Sequence, residues 1–257
     1  MSFYLPLGDG EYRPTKATES PWDDQMQHGG PPAALLGHVL GVDGLRLARI
    51  SVDFLGPIPR RDLRIEVSPL KPGRLTTLNE ARMIVDGRVA VTARAWHLAP
   101  GPPPPATTAG RRAEPLPDAG DAGFLLGRED WGYGRAIEWR PTRGGLGGPG
   151  DPCPGETHVW ARVRMPLIDG TELDGQDRAL IVADSANGLS AVLPIDTWLS
   201  IPPTMTTTLL RPAGGEWVHL ACRTTLSGDG LGLAHGDLYD AVGEIGEVAQ
   251  PLLIRER

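Results

Sequence analysis

Asp184 interrupts an apolar run that should be buried: Leu180, Ile181, Val182 and Ala183 precede it, and Ala186 and Leu189 follow at helical spacing. A carboxylate there needs partners or a raised pKa, and a raised pKa is how a protein makes a base that can activate water. The competing reading is structural, because Asp suits the N-cap of a helix beginning at Ser185. Gln250 breaks a second apolar run, Val248-Ala249-Gln250-Pro251-Leu252, just before a proline that removes a ladder donor. An amide there can donate to an oxygen and accept from a water, which suits the placing of a hydrolytic water; it can equally satisfy an edge-strand backbone group.

His28-Gly29-Gly30 stands ahead of Pro31-Pro32 and an apolar helical stretch. Backbone amides and the positive end of that helix could polarise a carbonyl or hold an anion, with the glycines permitting close approach. A plain turn before a helix explains the same residues. Thr204, Thr206 and Thr208 recur at period two and so share a strand face, for which β-propensity is explanation enough. Other arrangements fare poorly. Gly188-Leu189-Ser190-Ala191 lacks the second glycine and the feeding strand of a nucleophile elbow. Gly144-Gly145-Leu146-Gly147-Gly148 lacks the Lys and helix of a phosphate loop. The six histidines are scattered, and neither Cys153 nor Cys222 has a thiol or histidine at ligand spacing, so no metal and no cofactor is expected.

The elements that must position these residues come in two similar sets. A shift of 156 residues lays His28 on Asp184 and Arg94 on Gln250. Between these anchors Asp53-Phe54-Leu55-Gly56-Pro57 answers Leu209-Leu210-Arg211-Pro212, and Val85-Asp86-Gly87-Arg88-Val89 answers Ala241-Val242-Gly243-Glu244-Ile245. In the first half a strand at 3–7 and a helix at 30–40, opened by its two prolines, precede strands at 46–55, 63–70, 75–85 and 88–98; Asp86-Gly87 is a strong hairpin signal. The second half repeats the order, with strands near 135–139 and 157–165, a helical region at 177–192, and strands near 204–211, 217–226, 232–239 and 244–254. This predicts an α+β chain with an N-terminal unit at 1–100, a Pro-rich linker at 101–130 and a C-terminal unit at 131–257. The Gly/Pro segment 144–155 reads as a mobile insertion or a lid.

Composition narrows the function. With 257 residues, 40% hydrophobic, the chain buries a substantial core and is not disordered. A net charge of −7, with the basic residues dispersed, argues against a nucleic-acid surface. No segment has the length or apolar character of a membrane span or a secretion signal, so a cytoplasmic location is the default expectation.

Together these anchors resemble the acyl-CoA thioesterase II-like family, the double-hotdog thioesterases, over essentially the whole chain. The resemblance rests on Gln27-His28-Gly29-Gly30-Pro31-Pro32-Ala33-Ala34-Leu35, on Ala183-Asp184-Ser185-Ala186-Asn187-Gly188, on Leu209-Leu210-Arg211-Pro212 with Glu216-Trp217, and on Val248-Ala249-Gln250. It implies two helix-wrapped antiparallel sheets in one chain, metal-independent hydrolysis of acyl-CoA or acyl-carrier-protein thioesters, and a homo-oligomer. An Asp, a Gln and a Thr or Ser position the attacking water in that family. Asp184 and Gln250 fall on the first two places. Pro202 stands at the third, with Thr204 two residues on as the candidate hydroxyl. His28, Gly29 and Gly30 are the expected substrate-binding residues. Loss of the Thr leaves two alternatives on the same fold: a dehydratase or cyclase-like enzyme of a biosynthetic pathway, or an acyl-ligand binding protein. The dehydratase needs His28 to face an acid, and Asp23 and Asp24 are the nearest in sequence.

Overall fold

The computed structural model describes residues 1–108, 110–118, 131–144 and 155–257. Cys153, nearly all of the 144–155 insertion and part of the proposed linker lie outside the described residues. The elements in chain order are β1 (Tyr4–Gly8), β2 (Glu11–Pro14), α1 (Gly30–Val39), β3 (Arg46–Phe54), β4 (Leu63–Lys71), β5 (Thr76–Val85), β6 (Arg88–Leu98), α2 (Gly132–Ala136), β7 (Ile137–Arg143), β8 (Glu156–Val163), α3 (Gly175–Ala183), α4 (Ala186–Leu189), β9 (Trp198–Ile201), β10 (Thr204–Leu209), β11 (Trp217–Leu226), β12 (Leu231–Tyr239) and β13 (Glu244–Glu256).

The strands join into one antiparallel sheet in the order β1-β2-β4-β5-β6-β3-β10-β13-β12-β11-β8-β7, with β9 on β13. The order β4-β5-β6-β3 is mirrored by β10-β13-β12-β11, and the two halves meet where β3 pairs with β10, Thr206 opposite Ser51. This is the double hotdog, fused into a continuous sheet rather than two separate ones. The Asp86-Gly87 hairpin has both residues at positive φ, 50° and 75°, as a type I′ turn requires.

The halves repeat faithfully, but the register of the last strand is displaced by one residue from the sequence shift. A bulge leaves Ala90 unpaired in β6, between the pairs Ile84 with Val89 and Met83 with Val91; its counterpart in β13 is Ile245, between Tyr239 with Glu244 and Leu238 with Gly246. Counted from these bulges, Gln250 answers Ala95 and not Arg94. Side chains alternate across a strand, so the slip changes the face. Ala95 and Gln250 are fully buried, whereas Arg94 is exposed and pairs with Glu80 at 2.8 Å.

Inside the sheet α1 and α3 run antiparallel in contact. A Cβ on Gly30 would lie 2.4 Å from the Ile181 carbonyl oxygen, so that glycine is needed for the approach; at Gly37 the nearest atom is the tip of the Leu180 side chain, at 2.5 Å. Gln176 Nε2 donates to Gly37 O at 3.2 Å at the far end. The helical region expected at 177–192 is two helices interrupted at Asp184-Ser185, and the short α2 before β7 was not foreseen. No helix among the described residues is long and apolar enough to cross a membrane.

Candidate active site

Asp184 is the C-cap of α3, and its side chain turns away from its own helix. The N-cap reading fails: α4 starts at Ala186, and its cap, Ser185, makes no side-chain capping bond. The Asp184 carboxylate instead meets β13 and the start of α1. Gln250 Nε2 donates to Asp184 Oδ1 at 3.0 Å, and Gln250 Oε1 accepts from Asn187 N at 3.1 Å. The second contact fixes the amide so that its nitrogen faces the acid. Asn187 is held in turn: its Nδ2 donates to Ser200 O at 2.9 Å and its Oδ1 accepts from Ser200 Oγ at 2.7 Å.

His28 arrives from the other half. Its N–H donates to Thr18 O at 2.7 Å, and the preceding Gln27 is clamped by the Tyr4 hydroxyl at 2.8 Å and by Pro59 O at 3.0 Å. His28 Nδ1 lies 3.2 Å from Asp184 Oδ2 and also 3.2 Å from the Gly30 N–H. The imidazole stacks on Tyr133 at 3.9 Å and 10°, and the Tyr133 hydroxyl contacts Ile181 O at 2.7 Å and Ser185 Oγ at 2.8 Å. Asp184 is thus the acid that His28 faces, not Asp23 or Asp24. The two residues related by the sequence shift form one composite site.

Electrostatics follow from the packing. Burial pushes Asp184 up to about 7, against the Gly30 N–H, the Gln250 amide and the Gly29 N–H, which all favour the carboxylate. Burial pushes His28 down to about 3, so the imidazole is neutral. Nδ1 receives the Gly30 N–H with its one lone pair, so it carries no proton towards Asp184 Oδ2. The chemical result is a carboxylate whose pKa lies near neutrality, with the fixed Gln250 amide and the Gly29 and Gly30 N–H groups beside it.

Gly29 and Gly30, expected to bind substrate, turn their amides to Asp184. A Cβ on Gly29 would sit 2.8 Å from Asp184 Oδ2 and 2.9 Å from the Phe54 ring, which is why the acid can approach. Thr204 is not brought to the site. Gln250 shares its face of β13 with Val248, which pairs with Thr207, so Thr204 and Thr206 lie on the opposite face. The Thr204 hydroxyl donates to Val52 O at 2.8 Å, across the seam between the halves. Tyr133, Asn187 and Ser200 were not singled out in the sequence. Tyr133 sits in a Trp-Gly-Tyr-Gly stretch whose buried aromatics were a usable signal; Asn187 lay inside the quoted Asp184 motif.

Two family models match. Residues 18–98 match the acyl-CoA thioesterase N-terminal domain and residues 110–254 match the acyl-CoA thioesterase C-terminal domain. Among solved structures, a putative thioesterase from Novosphingobium aromaticivorans superposes with a TM-score of 0.72 at 22% identity, covering 98% of each chain. A putative thioesterase II from Thermobifida fusca gives 0.73 at 17%, covering 97% of this chain and 95% of that one. The acyl-CoA thioesterase II TesB2 from Mycobacterium marinum gives 0.68 at 16%, covering 99% and 95%. At these identities the likeness is one of fold. No curated protein matches.

Proposed function

This chain belongs to the acyl-CoA thioesterase family, and on that footing we propose that it hydrolyses an acyl-CoA or acyl-carrier-protein thioester with Asp184 as general base. The observation that carries the reading is the buried Asp184 carboxylate, pushed up to about 7 and held at 3.0 Å by an amide that cannot turn away. A base with a pKa near the working pH is the most effective one.

In the proposed step a water gives a proton to Asp184 as its oxygen bonds the thioester carbon. The carbonyl π electrons move to oxygen, then return as the C–S bond breaks, and the proton on Asp184 passes to the leaving thiolate. Acid and thiol are the products and Asp184 is regenerated. Gln250 has a second Nε2–H beyond the one given to Asp184, and that hydrogen orients the water or the carbonyl. His28, stacked and neutral, lies beside the carboxylate at 3.2 Å. No metal takes part in this step, and Thr204, on the opposite face, contributes no hydroxyl to it. In solution we expect self-association through the outer sheet face, where Leu231, Leu233, Leu253 and Ile201 are exposed.

The test is free-thiol release from short, medium, long and aromatic acyl-CoA substrates. Turnover by the wild type, abolished in folded Asp184→Ala, supports the reading; no release from any substrate by folded wild type sinks it.

The His28–Asp184 contact favours one second reading. An imidazole and a carboxylate from different halves suit addition of water across the Cα–Cβ double bond of an enoyl thioester, hydroxyl to the β-carbon and proton to the α-carbon, or the reverse loss of water from a 3-hydroxyacyl thioester. Hydration of an enoyl-CoA without thiol release would establish that reading in place of hydrolysis.

A further inference from the structure

After the Pro-rich stretch, residues 110–118 run as a strap over the outer face of β8 and β11. Trp160 Nε1 donates to Glu114 O at 3.0 Å, Arg140 donates to Pro117 O at 2.9 Å, and Glu244 N donates to Arg111 O at 3.2 Å. Beneath the strap lies a side-chain cluster that the hydrolytic site does not use: Glu114 from the strap, His158 from β8 and His219 from β11. One ligand atom from each lies within 4.8 Å of the other two. The strand pairing builds this, since Ala221 pairs with His158 and His219 pairs with Trp160, which puts both imidazoles on one face in diagonal positions.

One feature of the cluster is unexplained by the protein alone. His219 is 1% exposed, and neither of its ring nitrogens has a hydrogen-bond partner among the described residues. A buried polar side chain in that condition is costly. His158 stands between two carboxylates, with Nδ1 2.9 Å from Glu114 Oε1 and Nε2 3.0 Å from Glu156 Oε1. A doubly protonated ring donates to both carboxylates, so these contacts alone do not call for a cation; they leave Nδ1 free to ligate one while Nε2–H stays on Glu156. Arg143 reaches both acids, at 3.5 Å from Glu114 and 3.3 Å from Glu156, without touching either histidine.

We propose that Glu114, His158 and His219 bind a divalent transition cation, zinc first, which clamps the strap onto the C-terminal sheet. One ion satisfies all the groups at once. His158 ligates through Nδ1 and gives its Nε2–H to Glu156, the carboxylate–histidine–metal relay that fixes a ligand's tautomer. His219 ligates with a nitrogen that otherwise has nothing. Two imidazoles and one carboxylate suit zinc better than magnesium or calcium, which take oxygen sets. Glu114 and His158 are both partly exposed, and a water would complete the four ligands of zinc. The role is structural and separate from the Asp184 step.

The experiment uses tag-free full-length protein stripped with EDTA and titrated with zinc chloride, read by calorimetric stoichiometry and by melting temperature. We expect one zinc per chain and a rise of about 5–10 °C at a hundredfold excess over Kd. Glu114→Gln, which changes one oxygen on the half-exposed strap, weakens binding at least tenfold, as does His158→Gln. His38→Gln binds as wild type does; His38 with Asp174 and Asp177 is the other grouping able to hold a metal among the described residues. Absence of zinc binding by the wild type, undiminished binding by Glu114→Gln, or loss of binding in His38→Gln instead would each overturn the proposal. Thiol release, measured with and without EDTA, is read separately, so its failure leaves the zinc result standing.

Discussion

The α1–α3 pair carries a histidine–aspartate contact at each end, and the two ends differ in nearly everything except residue type. At one end His28 and Asp184 are 3.2 Å apart, with side-chain exposures of 14% and 7%, and burial moves them in opposite directions, His28 down to about 3 and Asp184 up to about 7. At the other, His38 and Asp177 are 2.9 Å apart, His38 is one-third exposed, and the Asp177 hydrogen bond raises the His38 pKa. Burial raises Asp177 too, with the His38 contact opposing it. The third partners also differ: Gln250 and the start of α1 at the first end, and at the second Asp174, whose carboxylate caps the Asp177 N–H at 2.7 Å. On the proposed reading the same two side chains make a base where the histidine is sealed in and an ion pair where it meets water. Solvent access to the histidine sets the outcome, more than the contact itself.

The largest expected effect separates the ends most sharply. Asp184→Asn keeps shape and burial but removes the base, and thiol release should fall about 10²–10⁴-fold. Its stability should move the other way. Because the folded pKa of Asp184 is raised from 3.8 to about 7, the folded wild type holds this proton more tightly than the unfolded chain, and it loses stability as pH rises through that window. The variant lacks that loss, so its melting temperature should exceed that of wild type at pH 8 and match it at pH 4. Equal activity in the variant would remove the distinction between the ends.

Next in size is Gly29→Ala, whose Cβ would fall 2.8 Å from Asp184 Oδ2. Displacing the carboxylate by a fraction of an ångström should cost up to about 10²-fold in kcat with the fold retained. Gln250→Ala should cost roughly tenfold, the worth of one hydrogen bond to a charged group. Because the Gln250 amide lowers the Asp184 pKa, the acid limb of the pH–rate profile should also shift to higher pH. An unshifted profile would mean that Gln250 acts on substrate alone.

Much of this was legible in the sequence, for reasons that can be named. Asp184 and Gln250 were visible because each breaks an apolar period, and a buried polar residue is the anomaly that pattern reading detects best. The strands β3 to β6 and β10 to β13 were visible because alternation and the Asp86-Gly87 turn fix them locally. Arg94 was laid on Gln250 because a constant shift cannot register the one-residue difference that the bulges at Ala90 and Ile245 reveal, and one residue turns a side chain to the other face. The meeting of His28 with Asp184 was not legible because it depends on the antiparallel packing of α1 on α3, which no local period encodes. Thr204 was chosen by proximity along the chain, while the register of β10 sends its hydroxyl to Val52 O.

The smallest effect tests the second end. His38→Gln should leave thiol release within about twofold, since His38 lies at the opposite end of α1 from Gly30 and Asp184. Its effect on stability should be modest, about 1–3 °C, because His38 is one-third exposed to screening solvent and glutamine can keep a donor to the buried Asp177. The pH dependence carries the information. A histidine whose folded pKa is raised above 6.5 contributes stability that is fully present below 6.5 and is lost as pH rises through the folded value. The melting temperature of the variant should therefore trail wild type at pH 6 and meet it at pH 9. A deficit independent of pH would assign His38 a packing role in place of an ionic one. A drop in turnover as large as that of Gln250→Ala would show that the two ends are coupled through α1, and the contrast between base and ion pair would then be a property of the helix pair as a whole.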